Sequence, residues 1–150
     1  MQDRKETPGL KFPKTERLHH RSLVEGLFRN GKSFYEYPVR VTWRAISHED
    51  LTKNFRSHVP DNIGSLQMMV TVPKKKRRKA IDRVLMRRRI REAFRVNRLP
   101  LRDLILHNPN LRTLSVALVY MHNDNLPYSL VENKIKIIID KLKQKISSDT

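Results

Sequence analysis

The window 74–98 constrains this chain more than any other segment: 13 of its 25 residues are Lys or Arg, and only Asp82 and Glu92 are acidic. So charged a segment joins a fold only by turning a narrow apolar stripe inward and its cations outward. On a helical wheel of 100° per residue, Leu85, Met86, Ile90 and Ala93 supply that stripe. Arg83, Arg87, Arg91, Arg95 and Arg98 gather opposite, within about a third of the circumference. The pattern predicts a helix over 80–97, entered from the run Pro73-Lys74-Lys75-Lys76-Arg77-Arg78-Lys79 and carrying a basic ridge. Like charges at i,i+4 oppose helix formation by ~0.2–0.5 kcal/mol per pair, so the ridge makes physical sense when phosphates neutralise it. An ordinary solvated face interleaves acids, as this one does not. Residues 73–79 also have the composition of a nuclear localisation signal, but such signals sit on exposed flexible segments, not between a strand and a helix.

The window supplies +11 of a formal net charge of +17, so the expected partner is a polyanion. With 150 residues there is room for one domain plus tails, and 38% hydrophobic residues suffice for a packed core. The absence of cysteine removes disulfides, thiolate metal sites and cysteine nucleophiles, and fits a reducing, cytoplasmic location. No apolar run approaches the ~20 residues of a membrane span, and residues 1–14 carry acids and prolines where a signal peptide would be apolar. Neither export nor a membrane partner is expected.

Residues 1–14 read as a flexible arm, 15–146 as a single domain and 147–150 as a polar tail. Leu23 with Leu27 and Val24 with Phe28 are i,i+4 pairs before the stop at Asn30-Gly31, predicting a helix over 15–29. Val39, Val41 and Trp43 alternate with Arg40, Thr42 and Arg44, predicting one strand over 34–45, and 66–72 is a second. The stretch 47–65 reads as a mobile loop joining antiparallel strands. A short helix over 101–107, a strand over 114–121 and a helix over 129–146 complete the order α-β-β-α-β-α, with an extra strand possible in a long connection. The expected architecture is an α+β sandwich with one mixed sheet and helices on one side.

Phe28, Phe34, Tyr35, Tyr37 and Trp43 are interleaved with Arg29, Lys32, Arg40 and Arg44, the composition of a platform on which single-stranded bases stack. Phe28 and Trp43 fit the core equally well, and Tyr35 and Tyr37 are better placed to be exposed. Catalytic constellations are poor. His19 and His20 point about 100° apart on a helix, the carboxylates beside His48 and His122 lack companions, and Gly9, Gly26, Gly31 and Gly64 form no phosphate loop. A stand-alone nuclease is therefore disfavoured.

Lys79-Ala80-Ile81-Asp82-Arg83, Arg87-Arg88, Arg91-Glu92-Ala93-Phe94-Arg95 and Asn97 resemble the signature helix of the bacterial ribonuclease P protein component. Arg17-Leu18, Phe28, Gly31-Lys32-Ser33-Phe34 and Pro38-Val39-Arg40-Val41 are similar to that family's first helix, glycine stop and first strand. Val84-Leu85 stands where the family carries Asn-Arg, Pro73 replaces a serine, and Val24 replaces an aromatic, so some affinity is expected to move to Arg77, Arg78 and Arg89. The resemblance covers about 15–146 and implies one RNA-binding domain with a left-handed βαβ crossover. It implies a monomeric subunit in a one-to-one complex with ribonuclease P RNA, supporting removal of the 5′ leader from precursor tRNA, with catalysis by the RNA and its Mg2+. Lys74, Lys75, Lys76, Arg77, Arg78, Lys79, Arg83, Arg87, Arg88, Arg91 and Arg95 would bind the RNA subunit. Phe28, Lys32, Phe34, Arg40 and Thr42 would hold the leader in a cleft between the first helix and the sheet. A ribosomal or other structural RNA-binding protein remains the alternative that charge and size fit equally.

Overall fold

The computed structural model describes residues 13–55 and 58–149, so residues 1–12 of the expected arm lie outside the described residues. Among the described residues, five helices and four strands follow a short 3-10 turn at Lys14–Glu16: α1 (Arg21–Asn30), β1 (Lys32–Glu36), β2 (Val39–Ile46), α2 (His48–Lys53), β3 (Leu66–Thr71), α3 (Ala80–Asn97), α4 (Leu99–Leu106), β4 (Thr113–Tyr120) and α5 (Tyr128–Asp149). The four strands form one mixed sheet in the order β1-β2-β4-β3. β1–β2 and β2–β4 are antiparallel, and β3–β4 is parallel. α3 and α4 make the crossover that joins the parallel pair.

Alternation along the strands sorts two cores. Leu114, Val116, Leu118 and Tyr120 of β4, with Val39, Val41 and Trp43 of β2, meet Met86, Ile90, Ala93 and Phe94 of α3 and the α5 stripe Val131, Ile135, Ile138, Leu142 and Ile146. On the opposite face Ala117 and Ile46 meet Leu23 and Leu27 of α1 and Leu51 of α2. The α+β class and the single mixed sheet match the expectation, whereas the helices take both faces, α3 to α5 on one and α1 with α2 on part of the other. A second apolar row on the strands requires this: Ile46, Ala117 and Met69 need cover as much as the first row does.

The expected strand over 34–45 is a hairpin, because Pro38 has no N–H for a ladder interior and the chain turns at Tyr37-Pro38. The extra strand therefore arises within the expected one and not in a long connection, where 47–65 carries α2 instead. The first helix starts at Arg21 rather than residue 15. Leu18 lies five residues before Leu23, about 140° round a helix, and instead its N–H donates to the Met68 carbonyl at 3.0 Å, with Arg17 bridged to the edge of β3. Within 47–65, Ser47 caps α2 by accepting from the Asp50 N–H at 3.1 Å, and β2 and β3 are separated by β4 rather than paired. Residues 147–149 continue α5 instead of forming a tail.

Gly31 ends α1 without a left-handed conformation: its φ is −77°. Glycine is required by close approach, since a Cβ there would lie 2.4 Å from the Leu27 carbonyl oxygen and 3.0 Å from that of Trp43. Backbone on both sides leaves nothing to shift.

Candidate nucleic-acid interface

α3 forms over 80–97 as the apolar stripe requires, and the stability ledger explains why so basic a helix holds. Arg83–Arg87, Arg87–Arg91 and Arg91–Arg95 repel by about 1 kcal/mol together, while each fully buried large apolar side chain such as Met86, Ile90 or Phe94 contributes ~1.5–3 kcal/mol. Burial wins. The cations then divide by what they touch. Lys74, Lys75, Arg78, Lys79, Arg88 and Arg91 are exposed, with Lys76 and Arg87 half-buried among them. Burial, and the charges of Arg17 and Arg87, hold the Arg91 guanidinium below its usual pKa.

Other cations of the run are used inside the protein. Arg77 donates to Asn125 Oδ1 at 2.9 Å and to the Asn123 carbonyl, and pairs with Asp82 at 3.0 Å. Arg83 donates to the Arg77 and Arg78 carbonyls at 3.0 and 2.7 Å, capping the turn that leads into α3. Arg89 donates to the Leu126 carbonyl. The Tyr120 hydroxyl, whose pKa burial pushes up to about 12, donates to the Asp124 carbonyl and pins the same 123–126 turn. The expected transfer of RNA affinity to Arg77 and Arg89 is therefore not supported: both brace this turn against α3, while Arg78 stays exposed. Arg95 is held by Glu92 at 2.6 Å, which raises the arginine's pKa and lowers the carboxylate's through their hydrogen bond. Arg98, placed on the ridge by the wheel, is fully buried against Glu16.

Arg77→Ala is expected to lower stability by about 1–3 kcal/mol, the scale of lost charged hydrogen bonds, and to leave the salt dependence of RNA binding unchanged. Thermal unfolding and binding at several salt concentrations check both.

The proposed leader residues do not share one face. In the β1–β2 register Tyr35 lies opposite Arg40, and Ser33 opposite Thr42, on the side that α1 partly covers. Phe34 lies opposite Val41 and Lys32 opposite Trp43, on the α5 side. Of the sheet residues expected in the cleft only Arg40 and Thr42 face the α1 side, and Thr42 is buried there against Ser33 rather than open to a leader, while Phe28 on α1 is 53% exposed. Tyr35 and Tyr37 are exposed and Trp43 is core. Sequence reasoning missed a groove of about 320 Å³ along the β3 edge, lined by Arg17, Leu18, His19, Met68, Met69, Val70 and Arg91. It joins the α3 ridge to the sheet, and Arg17 was visible only as part of the family likeness. Among the described residues no cluster of His, Cys, Asp or Glu could hold a metal ion, and no helix is long and apolar enough to cross a membrane.

A family model described as Ribonuclease P matches residues 12–143. The chain belongs to the ribonuclease P protein family. A ribonuclease P protein component from Porphyromonas gingivalis strain W83 is 31% identical over 120 residues, covering 80% of this chain and 77% of the relative. One from a second strain of that species is 32% identical over 114 residues, covering 76% and 72%. Among solved structures, the ribonuclease P protein of Staphylococcus aureus superposes with a TM-score of 0.59 at 14% identity, covering 85% of this chain and 95% of that one. That of Thermotoga maritima gives 0.57 at 18% identity, covering 84% and 96%. These two likenesses carry the fold; membership of the ribonuclease P family rests on the sequence matches.

Proposed function

We propose that this ribonuclease P protein binds the catalytic RNA of its ribonucleoprotein, one to one, through Lys74, Lys75, Lys76, Arg78, Lys79, Arg87, Arg88 and Arg91. The same molecule holds the single-stranded 5′ leader of precursor tRNA along the open part of the α1-side sheet face, supporting tRNA 5′ maturation in the cytoplasm. The observation that carries this reading is the groove beside β3, where Arg91 of α3 and Arg17 come together with Met69, a residue of the sheet face that α1 partly covers.

Bond breaking belongs to the RNA and its magnesium ions. Asp82 and Glu92, the acids of the basic window, are engaged by Arg77 and Arg95, so these residues do not fit a magnesium site, and magnesium would act through the RNA. The protein's part is to neutralise phosphates and to position the leader. Tyr35, 54% exposed beside Arg40, offers a ring to a leader base.

The test compares precursor and mature tRNA bound to the RNA–protein complex. With ~1–3 kcal/mol per stacked base, a precursor is expected to bind about tenfold tighter or better, and Tyr35→Ala to reduce that preference. Equal affinity for the two tRNAs contradicts leader binding.

A further inference from the structure

At the free edge of β1, Lys32, Ser33, Trp43, Gln144, Lys145 and Ser148 line an open pocket of about 490 Å³, within the ~300–1,000 Å³ range of small-ligand sites. Lys32 Nζ stands 5.6 Å from the centre of the Trp43 ring, and Lys145 Nζ stands 5.2 Å from that of Phe34. Ring faces hold ammonium groups electrostatically without neutralising their charge. Further along α5 the charge is neutralised, since Lys141 and Lys134 lie 2.5 and 3.8 Å from the Glu36 carboxylate. Lys145 itself is exposed on α5.

Ser33 lines the pocket, yet the Ser33 hydroxyl is hydrogen-bonded to Thr42 Oγ1 at 3.0 Å on the opposite face. A strand lying on that face reaches Lys32 by passing one residue round β1. Trp43 is only 4% exposed, so no ring face is open for stacking a base. Gln144 and Ser148 instead offer hydrogen-bonding groups at the rim. The combination suits a phosphate and its ribose rather than a base, and recognition would be indifferent to sequence.

We propose that this pocket is a second RNA contact, seating one backbone phosphate of a single strand between Lys145 and Lys32, apart from the α3 ridge. It requires that the chain binds single-stranded RNA and does not depend on leader recognition. Trp43 is the chain's one tryptophan, so its emission reports this pocket and not the ridge.

The full-length chain is titrated with 5′-phosphorylated tri-uridylate, too short to span ridge and pocket, and in parallel with inorganic phosphate, while Trp43 emission is followed. A saturable change is expected with the trinucleotide, at a midpoint at least about tenfold below that of inorganic phosphate. Lys145→Glu should raise the trinucleotide midpoint by about tenfold or more, the scale of one lost charge-assisted hydrogen bond. Its melting temperature should be unchanged because Lys145 is exposed, and the Arg88→Ala/Arg91→Ala double variant should keep the midpoint. The proposal is overturned by an absent emission change, by equal midpoints for the two probes, which would mark an ion site only, or by a midpoint that Lys145→Glu leaves unmoved. None of these outcomes bears on the preference for precursor over mature tRNA.

Discussion

Replacing Arg88 and Arg91 together by alanine is expected to weaken binding to ribonuclease P RNA by about a hundredfold or more at low ionic strength. Both side chains are exposed on α3. A hydrogen bond to a charged group contributes ~1.5–3 kcal/mol, and the lower end suits contacts that remain open to water. The mechanism has a second signature. Each phosphate neutralised contributes ~0.7–0.9 to the slope of log K against log salt, so losing two should flatten that slope by about 1.4–1.8. Arg95→Ala is the internal comparison: Arg95 is equally basic in sequence but is engaged by Glu92, and its loss should change neither quantity substantially. If Arg95→Ala costs as much affinity as the double variant, charge density rather than the sorted ridge governs binding.

The largest effect on stability is expected at Arg98 and Glu16. Arg98 is fully buried and Glu16 nearly so, and the pair ties the segment before α1 to the junction of α3 and α4. Arg98 also donates to the Arg95 carbonyl at 2.6 Å, and Arg102 approaches Glu16 at 3.7 Å. Removing one partner of a buried pair strands the other's charge and costs about 3–5 kcal/mol. Glu16→Gln and Arg98→Met should each lower the melting temperature by about 6–20 °C, at roughly 2–4 °C per kcal/mol for a domain of this size. The double variant Glu16→Leu/Arg98→Met should recover part of the loss, because apolar packing often replaces a buried ion pair without penalty. A shift below about 2 °C in either single variant would show that the pair does not hold this junction.

How much of this was legible in the sequence follows from the range of the interactions. α3 was readable to the residue because its stripe of Leu85, Met86, Ile90 and Ala93 is a local pattern with one solution. β3, β4 and α5 followed from equally local apolar spacing. The hairpin was not, and the error propagated to the site. Read as one strand, residues 34–45 put Phe34 and Val41 on opposite faces by parity. The turn at Tyr37-Pro38 reverses the chain and brings the two into register on the α5 side. Lys32 and Phe34 thereby left the expected cleft. Arg98 fell to a different cause. A wheel assigns faces from position within a helix, but Arg98 ends α3 and its partner Glu16 is 82 residues away, a separation that no local pattern carries. Of the ridge read from the wheel, Arg91 is exposed and Arg87 half-buried, whereas Arg83, Arg95 and Arg98 are engaged within the protein. Which members brace the turn at 123–126 depended on the fold placing β4's end against the start of α3.

The account's central claim, that this ribonuclease P protein assists an RNA catalyst rather than cutting RNA itself, is tested most directly by 5′-leader cleavage of a precursor tRNA at low magnesium. The reaction is run with a bacterial ribonuclease P RNA alone, with this protein alone, and with both. Cleavage only when both are present, and its reduction by Arg88→Ala/Arg91→Ala, is the predicted result. Cleavage by the protein alone, or no stimulation of a matched RNA that it binds tightly, would contradict it.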